Sequence, residues 1–338
     1  MKGDFSILIL GEGRIACAVF TQLKDLEGIK KIEFFSSLLS KNKVRDFSLI
    51  ISSLPGKDAP LGLELAIKYK KHLLDISDLD PPFYLRRKGE IEKAEILVVP
   101  GCGFSPGLVN FIVGREIHLN PEIDSVEIKA GSLSPKKFFF PFLWCFEDLI
   151  QEHRLFSWQI IQGKRVNCPP FSGYQKEKFL SIPAESYFSV SGFENIFEKK
   201  RFLNFHFRVI RPEGFMNFFY FLENFSFLDR QNLNYTRNIL EGVKRDNYTL
   251  AFIELRKGRK KIVFWEMYSF SRRKELFNSM QKISSAFSVA ICKTLFLKGF
   301  SQKGIIFAEE LAKDGVGFKE VIKELKKRGI VLRRICLC

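Results

Sequence analysis

Ser6–Leu10 is a short apolar run with β-branched members, the pattern of a strand buried on both faces. Ala16, Val19, Phe20 and Leu23 follow at helical spacing. The alternation of apolar runs and helical stretches continues. Strands are predicted at Lys31–Phe35, Ser48–Ser52, His72–Asp75 and Glu95–Val99, and helices at Leu61–Tyr69, after Pro81-Pro82 to Ala94, and at Leu108–Ile117. This is the signature of a parallel α/β sheet. Only about a dozen residues separate the second and third strands, too few for a full helix and a further strand. The sheet is therefore predicted to lack an edge strand.

Beyond Pro121 the pattern changes to longer, partly alternating strands at Val126–Lys129, Phe205–Ile210, Thr249–Lys257 and Lys261–Tyr268, the last two a hairpin across Gly258. Helical spacing covers Phe146–Gln162, Met216–Leu222 and Asn278–Leu297. A second, mainly antiparallel α+β domain is expected. Phe318–Arg328 reads as a helix and Ile330–Ile335 as a strand that returns to brace the first domain. The expected division is 1–120 for the parallel α/β domain, 121–305 for the α+β domain, and 306–338 for the returning segment.

A length of 338 residues and 46% hydrophobic content suit two packed domains and exclude a disordered chain. No apolar run reaches membrane-spanning length, and a signal-peptide pattern is absent from the N-terminus. Seven cysteines without CxxC or metal spacing read as reduced thiols, so a cytoplasmic setting is expected and no metal site. The net charge of +16 calls for anionic ligands, but the basic residues are scattered and no nucleic-acid-binding motif accompanies them. Nucleic acid and membrane are not expected partners. A basic bowl around a dinucleotide and a carboxylate substrate accounts for the charge.

Candidate chemistry gathers at strand ends. The first strand empties into Gly11-x-Gly13-x-x-Ala16 and a helix, the context a dinucleotide fingerprint requires. Gly11 permits the turn, Gly13 admits a pyrophosphate, and Ala16 lets helix and strand close up. Arg14 and Ile15 supply the N–H groups of the helix start. The second strand ends on Ser36-Ser37, with Lys41 and Lys43 close behind, in place of the acid that grips ribose hydroxyls in NAD enzymes. That substitution suits the 2′-phosphate of NADP, or marks a plain surface turn. Later strands end on Ser53-Leu54, on Asp75-Ile76-Ser77-Asp78, and on a loop, Gly101–Gly107, with three glycines and one proline. These ends converge on one crevice at the carboxyl edge of the sheet.

Together these residues resemble the saccharopine dehydrogenase family. The resemblance is carried by Gly11-x-Gly13, Leu74-Asp75-Ile76-Ser77-Asp78, Pro100 to Asn110, Ala130-Gly131-Ser132-Leu133, Phe156-Ser157-Trp158, Arg211-Pro212-Glu213-Gly214-Phe215, and a tail from Lys298-Gly299 to Leu311. It implies a homodimeric NAD(P)-dependent oxidoreductase that passes a hydride at a C–N bond of an amino-acid or polyamine conjugate. Within it, Asp75 and Asp78 hold an amine or relay its proton, or cap the next helix. Cys102 lines the reacting centre or is small filler. Gly101, Gly103 and Arg211 contact substrate, Arg211 as a carboxylate clamp or else as an exposed turn residue. Ser53, Leu54 and Ser77 complete the cofactor contacts. The chain departs from the family at Ser105, which replaces the acid of the family's loop, and at Arg211-Pro212-Glu213-Gly214, where the family has Arg-Tyr-Pro-Gly. A member that has lost turnover and acts as a binding or partner protein is the alternative.

Overall fold

The computed structural model describes residues 5–24, 26–35, 41–77, 79–136, 144–190, 192–297 and 302–336. Ser36, Ser37 and Asp78 lie outside the described residues. Two compact units result, one of Met1–Glu122, Gly192–Arg201 and Gln281–Ile330, the other of Ile123–Ser191, Phe202–Met280 and Val331–Cys338.

The first unit is built on a parallel sheet. Strand β1 (Phe5–Leu10) lies between β2 (Ile29–Phe34) and β3 (Leu49–Ser52), followed outward by β4 (His72–Asp75) and β5 (Leu97–Val99). Ile7 to Leu10 and Leu49 to Ile51 are fully buried, which is why these strands read as unbroken apolar runs. Helices Arg14–Leu23, Pro60–Tyr69 and Lys88–Ala94 supply the crossovers, and Leu63, Ala66, Ile91 and Ala94 join Leu8, Ile50, Leu73 and Val98 in the core. Among the described residues β2 has no neighbour beyond β1, so the sheet lacks a strand at that edge, as the short interval predicts. The opposite edge holds a strand that the apolar pattern does not predict, β14 (Gly304–Ile305), parallel to β5.

The second unit carries a nine-stranded, mostly antiparallel sheet. Its strands are β6 (Ser125–Leu133), β7 (Ser157–Ile161), β8 (Lys164–Cys168), β9 (Gln175–Phe179), β10 (Ile182–Phe188), β11 (Asn204–Pro212), β12 (Asn247–Lys257), β13 (Lys260–Ser271) and β15 (Val331–Cys336). The main path runs β15-β13-β12-β6-β11-β10-β9, and only the β6–β11 pair is parallel. The hairpin β7–β8 pairs with β11 through Ile160.

Three expectations change. The helix expected over Phe146–Gln162 stops at Glu152, and Ser157–Ile161 turns back as a strand because Gly163 (φ +77°) supplies the hairpin bend. The terminal strand does not brace the first unit: β15 pairs with β13, with Leu332 opposite Met267. The second unit's long stretch also stops at Met280, short of residue 305, since most of the helix Ser279–Ile291 belongs to the first unit. No helix among the described residues is long and apolar enough to cross a membrane.

Candidate functional site

Backbone hydrogen bonds tie the carboxyl ends of successive strands together. Ser53 N donates to Leu10 O (2.9 Å), Ile76 N to Ser52 O (2.8 Å), and Cys102 N to Asp75 O (2.7 Å). The ends of β1, β3, β4 and β5 are thereby held in one row, and this brings together Gly11, Ser53, Leu54, Asp75, Ser77, Gly101, Cys102 and Gly103.

At the first end the two glycines differ in kind. Gly11 has φ +103°, and a Cβ there would sit 3.0 Å from Ser53 O, so its glycine is required by the fold itself. Gly13 has φ −69° and a Cβ on it would meet nothing within 4 Å among the described residues. None of these residues demands a glycine at 13; they leave open space in front of it. Gly13 also starts the helix Arg14–Leu23, which has neither a side-chain cap nor an acid in its first turn. Its leading N–H groups, with the helix dipole behind them, face outward at an anion-attracting end. Ala16 is fully buried, allowing the helix to close on the strand.

Asp75 ends β4 with no solvent exposure. Its Oδ1 accepts from Ser77 N (2.9 Å) and its Oδ2 from Tyr84 Oη (2.9 Å). Burial raises its pKa in spite of these donors, and burial likewise pushes the Tyr84 phenol well up. Both oxygens are engaged by the protein, so Asp75 pins the helix Pro81–Arg86 to the strand end and does not present a carboxylate to substrate. Cys102 is corrected in the same way. It is fully buried, its Sγ points at Val99 O (3.4 Å), and burial holds the thiol protonated far above its ordinary pKa. It fills space beneath the strand end, the filler role, and presents no thiol to a reacting centre.

The loop after β5 is a fixed shape. Gly107 has φ +142°, and a Cβ there would lie 2.1 Å from Gly103 O. Asn110 accepts from Gly107 N (3.0 Å) and donates to Gly192 O (2.9 Å), joining the loop to the segment Gly192–Arg201. Gly101, Pro106, Gly107 and Asn110 form one side of a small pocket whose other side is Phe307, Ala308 and Glu309. The Glu309 carboxyl is buried there, raised in pKa by that burial and bonded to Asn195 Nδ2 (2.7 Å).

Arg211 belongs to the second unit, on β11, and is not an exposed turn residue: 3% of it reaches solvent. Its Nη2 meets Glu152 Oε2 at 2.7 Å, and its guanidinium lies over the rings of Trp144 (5.2 Å) and Phe215 (5.6 Å). Among the described residues its Nε has no hydrogen-bond partner, nor do the nearby Tyr187 Oη and His153 Nε2, both buried. Burial and the Arg211 charge hold His153 well below its usual pKa, hence neutral. Trp158, part of the sequence pattern quoted above, is instead 42% exposed on β7, where Arg165 stacks on it at 4.6 Å.

No protein-family model and no curated protein matches the sequence. Among solved structures, apo saccharopine dehydrogenase (L-Glu forming) from Saccharomyces cerevisiae aligns with 99% of this chain and 100% of its own, at 14% identity and a TM-score of 0.77. The chain has the saccharopine dehydrogenase fold. DAP dehydrogenase from C. glutamicum, in complex with DAP, aligns at 11% identity over 95% of this chain and 98% of that one, with a TM-score of 0.46. A probable dehydrogenase from Thermotoga maritima gives 12% identity, 98% and 99% coverage, and the same score.

In this saccharopine dehydrogenase fold, the first unit offers what a dinucleotide needs: a glycine turn, open space at Gly13 and an uncapped helix start. No group of three or more metal-ligating side chains occurs among the described residues. Sequence reasoning missed Tyr84, Trp144, Glu152, His153 and Tyr187. Trp144, Glu152 and His153 fall within ten residues of one another, but Tyr187 and Arg211 lie far along the chain and meet them only through strand pairing and helix placement. A buried phenol nine residues after Asp75 leaves no spacing signal.

Proposed function

We propose that the protein is an NAD(P)-dependent oxidoreductase of the saccharopine dehydrogenase-like type, acting at a C–N bond of an amino-acid or polyamine conjugate. The observation that carries this reading is Gly13, a glycine with none of the described residues packed against it, at an uncapped helix N-terminus behind a buried strand. When bound, the nicotinamide supplies a hydride to an imine carbon while the nitrogen takes a proton. The chain's own residues do the rest. Gly11, Gly13 and the N–H groups of Arg14, Ile15 and Ala16 seat the pyrophosphate, and Ser53, Leu54 and Ser77 border its path along the strand ends. Asp75 acts as a positioning residue through Tyr84 and Ser77. Gly101 and Gly103 shape the floor for substrate, and Arg211, held by Glu152, takes a substrate carboxylate on its free Nε edge. Ser36, Ser37 and Lys41 favour NADP, and Asp78 relays the amine proton. The working form is a cytoplasmic homodimer, a setting consistent with the free cysteines.

Fluorescence titration of the purified chain with NADH and NADPH tests this. Saturable binding, tighter for NADPH, is the expected result; absence of binding to either overturns it. One observation favours a second reading, a binding protein without turnover: Asp75 and Cys102 are both sealed from solvent. Cofactor binding without activity on any amino-acid–keto-acid or polyamine–aldehyde pair would select that reading.

A further inference from the structure

The pocket between the Gly101–Gly107 loop and Phe307–Glu309 lies wholly within the first unit. It holds about 270 Å³ of unfilled space, counting its open mouth. Leu79, Pro106 and Gly192 are partly exposed and form that mouth, while Phe307, Ala308 and Glu309 are buried. Apart from three glycines, its walls are the apolar Leu79, Pro81, Pro100, Pro106, Phe307 and Ala308, with two polar side chains among them, Asn110 and Glu309. Both ends of Asn110 are tied into the wall, Oδ1 accepting from Gly107 N and Nδ2 donating to Gly192 O. Glu309 is 6% exposed and only half engaged. Asn195 Nδ2 donates to its Oε1 (2.7 Å), and its second oxygen receives no hydrogen bond from another described residue. Lys199, whose charge favours an ionised Glu309, is itself paired with Glu310. Burial outweighs that help and raises the Glu309 pKa, the condition of a carboxylate short of a partner.

One open carboxylate oxygen among apolar walls selects its occupant. Water is a poor one, since an ordered water needs two to four polar partners and the described side chains leave it one. An anion meets the Glu309 charge at close range, and a wholly apolar molecule leaves that charge buried and unmatched. A guanidinium is suited to two adjacent acceptors, and Asn195 already takes one of the two oxygens here. A primary ammonium on a short aliphatic chain answers both parts of the lining. Its N–H donates to the open oxygen, and its methylenes lie against the prolines and Phe307, whose ring also attracts a cation. The net charge of +16 repels cations at long range, so an amine is held here by the buried carboxylate and not by a general field.

We propose that this pocket is a binding site for a short-chain primary alkylammonium ion, with Glu309 as its counter-ion. The site goes beyond the cofactor and carboxylate contacts given above and uses none of them. Saturation-transfer NMR of the full chain with n-propylamine, without cofactor and at mildly alkaline pH where the amine is still charged, provides the test. Saturable binding with a Kd of about 1–10 mM is expected of so small a ligand. 1-Propanol has the same shape without the charge and should bind about tenfold more weakly or worse. Glu309→Gln keeps an acceptor for Asn195 and removes the charge. It should weaken propylammonium binding by about tenfold or more, with an unchanged far-UV circular dichroism spectrum and with NAD(P)H binding as in the wild type. If that variant loses its fold, Leu79→Trp at the mouth is read in its place and should weaken binding by a similar factor. A wild-type chain that shows no saturable binding overturns the site, as does equal affinity for 1-propanol or full affinity in a folded Glu309→Gln protein. Amine binding in a chain that takes up neither NADH nor NADPH would support the site while removing the oxidoreductase reading.

Discussion

Tyr84 Oη lies 2.9 Å from Asp75 Oδ2, and neither residue has any surface open to water. The bond joins a strand end to the helix Pro81–Arg86 that follows it, at the edge where we propose that the cofactor binds. Tyr84→Phe leaves a buried carboxylate oxygen unsatisfied and should cost about 1–3 kcal/mol in urea unfolding. Asp75 has a raised folded pKa, so the folded state binds its proton more tightly than the unfolded chain. Its contribution is therefore fully present at acid pH and declines as pH rises from the ordinary carboxylate range through the folded value. Asp75→Asn should flatten that part of the stability–pH curve; an unaltered curve would place the titration elsewhere.

Gly13→Val separates a cofactor seat from a structural turn. A Cβ at 13 meets no atom of the described residues and φ is ordinary, so the thermal midpoint should stay within about 2 °C of wild type. Binding of NAD(P)H should fall by about a hundredfold or more, because the side chain occupies the pyrophosphate's space. Gly107→Ala is the control in the opposite sense, since its Cβ would lie 2.1 Å from Gly103 O and the variant should fold poorly. Undiminished affinity in a folded Gly13→Val protein would remove the cofactor site.

Arg211→Lys keeps the charge beside Glu152 but loses the guanidinium fork. Truncation to alanine would also strand the Glu152 carboxylate and is a poorer probe. With an active substrate pair in hand, KM for the carboxylate partner should rise by roughly ten- to a hundredfold. The Kd for NAD(P)H should not move. Equal KM values would assign Arg211 to structure alone.

Glu324 predicts an acid-side effect on stability. Burial opposes its charged form, but hydrogen bonds from Lys293 (2.7 Å) and Arg328 (2.6 Å) hold its pKa down at about 2. A depressed carboxylate stabilises the fold above its unfolded pKa. That contribution is lost as pH falls from about 4.5 through about 2. Urea midpoints of Glu324→Gln should be lower than wild type at pH 6 and converge with it toward pH 2.

Much of the first unit was legible because its strands are buried on both faces and announce themselves as apolar runs, as at Ser6–Leu10 and Ser48–Ser52. The glycine turn at Gly11 and Gly13 was legible for a local reason, its place between strand and helix. The hairpin β7–β8 was hidden by composition: Lys164 to Asn167 is exposed on both faces, so period-two alternation never develops. Strand β14 is two residues long and carries no pattern at all. Burial of single side chains was equally silent. Asp75 and Cys102 stand in a sequence context that suits catalysis, and their lack of exposure depends on Tyr84, Ser288 and other residues brought in from elsewhere.

Both sheets are finished by the end of the chain. The first takes its edge strand from Gly304–Ile305 and the second from Val331–Cys336, while the segment Gly192–Arg201 returns to the first unit between two stretches of the second. During synthesis neither unit can therefore reach its final hydrogen-bonded state until its edge strand, Gly304–Ile305 in the first and Val331–Cys336 in the second, has been made. No single cut releases either unit whole, and a stop codon before residue 331 strips β13 of its outer partner along six residue pairs.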